Sequence, residues 1–314
     1  MKYLHFTVTV LSLITLSKVF AQGCSDAGFC TMGAMKPDQH FSKKINLKLR
    51  SIELSFYRGT TTLTPIVKSV TTDFNFSLNS KNTFQIKLPY QWVDGRLGHT
   101  KDWGDISLCY TRNIHSKEKS DINLSLGAKL PTNQSDKKSE QGFPLPMYYQ
   151  TSLGTYDLIG GISLITGKWL LATGIQVPLN KNNNQFLWGA WPRPEVSKED
   201  STYVREYNRA KDLKRGTDVM LRVERNFRFS RFNCSIGLLP IYRITHDEIT
   251  VNGKRMKPEG TTGLALSGIV TAGYSFNVRT GIKILVGRKL TQRAVNPDGL
   301  TRHLVTSVTY FYRF

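Results

Sequence analysis

The densest set of ionisable side chains at alternating positions is Asp218, Arg222 and Glu224, followed by Asn226 and Arg228. Spaced by multiples of two, these groups share one face of an extended strand. Lys283 and Lys289 carry charge in the same way further on, and Asn233 and Ser235 add polar groups. Earlier in the chain Asp73 stands with Asn75 and Ser77, and Lys87 with Gln85 and Gln91. Such a face either lines an aqueous path with fixed charges or braces a narrow interior through ion pairs. Neither role needs a cofactor, and none is implied. Covalent chemistry has less support. No G-x-S-x-G or H-E-x-x-H occurs, His99 and His246 fall in loop-like stretches, and His115 falls in a short turn. A Ser–His pair across strands, for example Ser307 with His303 or a neighbouring residue, is conceivable, but nothing singles one out. The reading is therefore not an enzyme.

The faces opposite these charges are apolar. Ile86, Leu88 and Tyr90 oppose Lys87, while Val219, Leu221, Val223, Phe227 and Phe229 oppose the Asp218 ladder. The same period recurs from about residue 45 to the end and yields twelve strands, with a slip of phase near Arg50 and Ser51 that implies a bulge. Links between strands alternate in length. Those at 79–81, 116–120, 167–168, 230–231 and 277–279 are short, whereas 131–153, 180–215 and 245–261 are long, and 93–103 reads as a further loop. Short turns on one side and long loops on the other are the pattern of a transmembrane barrel. Closure also removes the unpaired edges that hydrocarbon does not tolerate. The fold class expected is all-β: a single closed antiparallel transmembrane β-barrel of about twelve strands over residues 45–314.

The ends agree. Residues 1–21 have a basic start at Lys2, an apolar run and a small residue at Ala21, the layout of a secretory signal peptide. Ala21-Gln22-Gly23-Cys24 faintly resembles a lipid-attachment box. At the other end, Tyr310, Tyr312 and Phe314 share a face, and that closing strand resembles the last strand of bacterial outer-membrane barrels, whose terminal aromatic is read by the insertion machinery. The location expected is the outer membrane of a Gram-negative envelope with both termini periplasmic.

The formal charge of the 314 residues is +20, and removal of residues 1–21 takes away only Lys2 and Lys18. In a soluble protein that excess would suggest nucleic acid. Here the bases are scattered and no nucleic-acid-binding signature occurs, so the partners expected are outer-membrane lipid, lipopolysaccharide, the barrel-insertion machinery and a small-molecule solute. Residues 22–44 are Gly-rich and not strand-like, and read as a periplasmic plug or hatch. Cys24 and Cys30 lie six apart in an oxidising compartment and are expected to form a disulfide; with His40 they make only a thin metal-ligand set. Cys109 falls on an inward face and Cys234 on an outward one. The long 180–215 loop reads as a solvated lid, with a helix within 199–214. Pro89 and Pro240 lie inside strands, where each removes a ladder donor.

Several short stretches carry a resemblance: Gly104-Asp105-Ile106-Ser107-Leu108 followed by Tyr110, Leu126-Gly127-Ala128-Lys129-Leu130-Pro131-Thr132, Leu153-Gly154-Thr155-Tyr156-Asp157, and the terminal strand. With them the chain resembles the outer-membrane barrels grouped with fatty-acid transporters and with phenol-degradation (MetA-pathway-type) proteins, in a style similar to Bacteroidetes members. The resemblance implies uptake of apolar small molecules past an N-terminal hatch, with a sideways exit. The chain departs from the fatty-acid transporters in being shorter and in giving twelve strands rather than fourteen. The function expected is a porin-like channel or transporter for small solutes; the alternative is a plugged barrel acting as adhesin, receptor or subunit of an envelope assembly.

Overall fold

The period-two pattern folds into one antiparallel sheet that closes on itself. The computed structural model describes Met32 and residues 48–117, 120–192 and 197–314. The signal segment and the Cys24–Cys30 pair lie outside the described residues. In chain order the strands are β1 (Lys48–Thr60), β2 (Ile66–Ser77), β3 (Asn82–Gly95), β4 (Gly98–Trp103), β5 (Ile106–Lys117), β6 (Ser120–Leu130), β7 (Asp157–Thr166) and β8 (Trp169–Pro178). A short helix α1 (Lys198–Tyr203) precedes β9 (Asp218–Phe229), β10 (Phe232–Arg243), β11 (Ile249–Val251), β12 (Lys254–Met256), β13 (Gly263–Ser275), β14 (Thr280–Thr291) and β15 (Leu304–Arg313).

Each wall strand pairs antiparallel with its neighbours in sequence, and β1 pairs with β15 to close the ring. β4 and β5 behave as one interrupted strand, β4 pairing with the far half of β3 and β5 with the near half. Counted so, the wall has twelve strands, while β11 and β12 form a separate hairpin in a loop. The expected phase slip is present, as a register shift between Leu49 and Ser51. One expectation fails. Residues 93–103 are not an open loop: β3 and β4 continue the wall to a turn at Arg96 and Leu97.

Outward faces are apolar and bare, with Leu54, Phe56, Leu126, Ile236 and Val270 all exposed. Aromatic side chains gather at both rims. Phe229 stacks on Phe232, and Tyr312 meets Phe314, at the end with short turns. Tyr90, Trp92 and Trp103 cluster at the end with long loops. From Phe232 to Tyr242 on β10, at about 3.3 Å per residue and a tilt of ~40°, the rims stand roughly 25 Å apart, the height of an outer-membrane hydrocarbon band. We call the two ends the loop end and the turn end.

Candidate functional site

The lumen is the candidate site, because alternation sends every second side chain into it. Asp73, Asp218, Arg222 and Glu224 are buried there, Lys87 and Lys283 are half-buried, and Arg228, at the turn end, is exposed. They do not form one constellation. Lys87 lies 3.8 Å from Asp73, Arg222 pairs with Glu224, and Asp218 belongs to a separate network. Tyr310 and Tyr312 lie on the outward face of β15, and Phe314, in contact with Tyr312, borders the turn-end cavity at the rim.

The loop-end network is built around Arg243, the last residue of β10. Its Nε and Nη2 donate to the two oxygens of Asp218 at 2.8 and 2.6 Å, and its Nη1 donates to Asp247 at 2.7 Å. Nη2 also lies 2.8 Å from Asp298. Arg293 reaches Asp218 and Asp298, both at 3.4 Å, and is fixed by Asn296 at 3.0 Å. Beside it Arg215 and Gln176 donate to Asp157. Such two-pronged guanidinium–carboxylate contacts hold orientation as well as charge. Burial would raise the Asp298 carboxyl, but Arg243, Arg293 and Arg215 hold it well below the usual range. Asp247 goes the other way, pushed up by burial and by Asp298 against the pull of Arg243.

Above this network the long loops fold inward. Tyr149, Phe186, Val204 and Tyr207 are essentially inaccessible and pack with Val67, Val93 and Leu145. The 180–215 loop is therefore not a solvated lid, because its aromatic side chains have an apolar layer to enter. Its helix is shorter than the expected span, with α1 ending at Tyr203 and a single 3-10 turn following. Phenols stitch the layer together: Tyr207 lies 3.0 Å from Tyr203 and 3.3 Å from Tyr149, and Tyr149 accepts from the Leu97 backbone at 3.1 Å. Burial, with Asp298 nearby, pushes the Tyr148 phenol up to about 12, so it fills space as a neutral group. Gly299, at φ +63°, lies so close to the Tyr148 nitrogen that a Cβ there would stand 2.4 Å from it.

A second apolar layer lies deeper. Cys109, Ile159, Leu170, Met220, Leu239 and Ile269 meet at inward positions of six strands, and Met32, 1% exposed, belongs to the same cluster. Cys234 is half-buried, and both described cysteines are free thiols.

The turn-end half differs in kind. It holds a cavity of about 410 Å³ lined among others by Arg50, Arg279, Lys283 and Arg313, with Glu53 the acidic side chain among the lining residues. Phe311, on the inward face of β15, is flanked by two of these cations. Lys283 Nζ lies 5.2 Å and the Arg313 guanidinium 4.6 Å from its ring centroid. The ring fits because Gly281 lies against it; a Cβ there would stand 2.4 Å from the Phe311 ring.

Sequence reasoning passed over Arg215, Arg243, Lys129, Asp157 and Asp105 as site residues. For Arg243, Lys129 and Asp157 the signal was present, since each continues the inward parity of its strand. Asp105, which accepts from Ser152 and lies 3.3 Å from Lys129, falls in the break between β4 and β5, where parity gives no guidance. Ser307 and His303, four apart on one extended stretch, stand roughly 13 Å from each other, too far to form a pair.

No protein-family model and no curated protein matches this chain. Among solved structures it is similar to an outer membrane channel from Pseudomonas putida F1, with a TM-score of 0.59 and 14% identity over 88% of this chain and 99% of that one. The translocator domain of the autotransporter NalP from Neisseria meningitidis matches at a TM-score of 0.45 and 8% identity, over 88% of this chain and 90% of that one. The NanC porin gives 0.43 and 8%, over 86% and 99%. The similarity to the Pseudomonas channel establishes the fold: a closed β-barrel of the outer-membrane type.

Proposed function

We propose that this protein is an outer-membrane channel for small solutes that rests in a closed state. The observation that carries the reading is the division of each strand into a bare apolar outer face and a polar, charged inner one, across a wall about 25 Å between aromatic rims. A protein dissolved in water gains nothing from that arrangement, whereas a bilayer requires it. The fold shared with an outer membrane channel is in accord. The described wall begins at Lys48 and closes at Arg313, both at the turn end, which in this reading faces the periplasm, and Tyr310, Tyr312 and Phe314 act as the insertion signal.

The closed state is supported by the loop-end layer, in which Tyr149, Phe186 and Tyr207 are buried together. Residues 22–44 contribute a plug; Met32, buried among inward residues of six strands, supports that role. Liposome swelling and single-channel recording test the proposal. The intact chain should show rare, small conductance steps, and deletion of residues 22–41 should make them larger and more frequent.

A second reading draws on the same packing. A barrel sealed at its mouth by buried aromatics can serve as an adhesin, a receptor or a subunit of an envelope assembly. It predicts no conductance with or without residues 22–41, an outcome that would remove the channel reading.

A further inference from the structure

At the loop-end rim the outward face of the wall is not the same all the way round. Beside β7 and β8, and on β10 and β13, the outward side chains there are Tyr156, Leu179, Tyr242 and Leu264, all exposed and uncharged. On β1, β2 and β4 the outward positions hold Arg58, Lys68 and Lys101 instead.

The register fixes how these cations stand. Arg58 lies directly opposite Lys68, Lys68 opposite Trp92 on β3, and Trp92 opposite Lys101. They form one row across four neighbouring strands, ~14 Å from end to end at about 4.8 Å per strand. One outward step nearer the middle of the wall runs a second row, Phe56, Val70, Tyr90 and Trp103, whose members are also register partners. Trp92 joins the two rows, with its ring centroid 6.3 Å from Phe56 and 6.1 Å from Tyr90.

Two cations directly opposite each other on neighbouring strands destabilise a sheet. Asp94 compensates only one of them: its carboxylate lies 3.1 Å from Lys68 and 3.1 Å from the His99 ring. Arg58 and Lys101 are exposed, and among the described residues neither has a carboxylate within ion-pair distance. Packing of the wall does not require these charges, since the opposite arc finishes the same rim with uncharged side chains.

We propose that this row is a docking site for the phosphorylated head group of a lipid in the leaflet at the loop end, with Arg58 and Lys101 as the main binding residues and Lys68 between them. Phosphate oxygens accept the two-pronged contact of a guanidinium and the point charge of each lysine. The acyl chains of the same molecule then lie across Phe56, Val70, Tyr90 and Trp103. That continuity of a cationic row with an apolar one selects a lipid over a free anion, and basic clusters at a membrane surface recognise anionic head groups in this way. The inference rests on the outer-membrane reading above, in which the loop end faces outward and the occupant is a phosphorylated glycolipid of the lipopolysaccharide class.

The test is isothermal titration of the full chain in neutral detergent with diphosphorylated lipid A, with its dephosphorylated form and with inorganic phosphate. The diphosphorylated lipid should bind roughly tenfold or more tightly than the other two. Arg58→Gln and Lys101→Gln should each weaken it roughly fivefold, the effect of one basic residue at a charged lipid surface. The double variant should bind both lipids alike. Arg225→Gln should change nothing, because that outward cation is held between Trp169 and Phe227 at the turn end. Retention of the barrel's heat-resistant mobility on gels shows that each variant is folded. Equal binding of the two lipids by the unmodified chain, equal binding of inorganic phosphate, or a loss with Arg225→Gln as large as with Arg58→Gln would overturn the site. Single-channel recording on the same preparations separates this from the channel reading. A barrel that discriminates lipids by their phosphates and never conducts keeps the site and loses the channel; a conducting barrel indifferent to those phosphates does the reverse.

Discussion

The two halves of the lumen are made from the same strands by the same alternation, yet they solve opposite problems. At the loop end acids and bases are matched and shut away: Arg243, Asp247 and Asp298 are inaccessible, and apolar layers lie above and below. At the turn end Arg50, Glu53, Arg279, Lys283 and Arg313 border an open cavity, with Lys283 and Arg313 both against the Phe311 ring. Matched burial yields a fixed, closed structure, because any loss leaves an uncompensated charge. Half-exposed charge beside an open cavity stays in contact with water, so each group there contributes less to stability. One half is buried away from water and the other borders open space.

The comparison breaks if the loop-end ions prove dispensable. Arg243→Met leaves Asp218, Asp247 and Asp298 without their shared partner. The expected loss is about 3–5 kcal/mol of stability, read as a lower urea midpoint in detergent. Arg279→Met, at an exposed cation beside the turn-end cavity, should change the midpoint by no more than about 0.5 kcal/mol. Comparable losses would mean that the two halves do not differ as described. Gly299→Ala comes next. Its left-handed backbone and its contact with Tyr148 leave no room for a methyl group. A loss of about 1–3 kcal/mol is expected, with faster amide exchange confined to residues 147–149 and 292–303.

Acidity sharpens the contrast further. Asp298 has a depressed folded-state pKa, so it contributes stability above the ordinary carboxylate range, and that contribution is lost as pH falls. Asp247 has a raised one, so its ionisation costs stability at neutral pH, and the cost is relieved as pH falls through its folded value. The urea midpoint should therefore hold level or rise slightly from pH 7 to about 4, and drop below that. Asp247→Asn should abolish the rise and keep the drop. A wild-type midpoint falling steadily from pH 7 would contradict the opposed shifts.

How much of this could be read from the sequence follows from what a period of two reports. It reports which side of the wall a residue takes, so the inward placement of Asp218, Arg222 and Glu224 and the bulge beside Arg50 were visible. It does not report partners. Asp218 meets Arg243 and Arg293, twenty-five and seventy-five residues away, because of barrel closure and loop folding. It also fails where the wall leaves the apolar band. On β4, Gly98, His99, Lys101 and Asp102 show no greasy alternation, since outward positions above the rim face water, and the strand reads as a loop. The loop-end cap was hidden for a third reason. Trp191 and Tyr207 lie in a stretch dominated by charges, and aromatic side chains without a period give no sign of which of them will be buried.

The smallest change tests whether the cap is a gate or only a lid. Tyr207→Phe keeps the ring contacts with Tyr148, Tyr149 and Tyr203, whose centroids lie 5.4, 6.0 and 5.5 Å away. It removes the hydroxyl that bridges Tyr203 and Tyr149, while Tyr149 retains its bond from the Leu97 nitrogen. The cost should be about 1 kcal/mol, too little to unfold the barrel and enough to raise the population of open caps about fivefold. In a channel closed by these loops, that increase appears as more frequent openings of unchanged size, together with faster proteolysis within residues 180–215. More proteolysis without more openings would place the closure deeper, in the layer that contains Met32 and Met220.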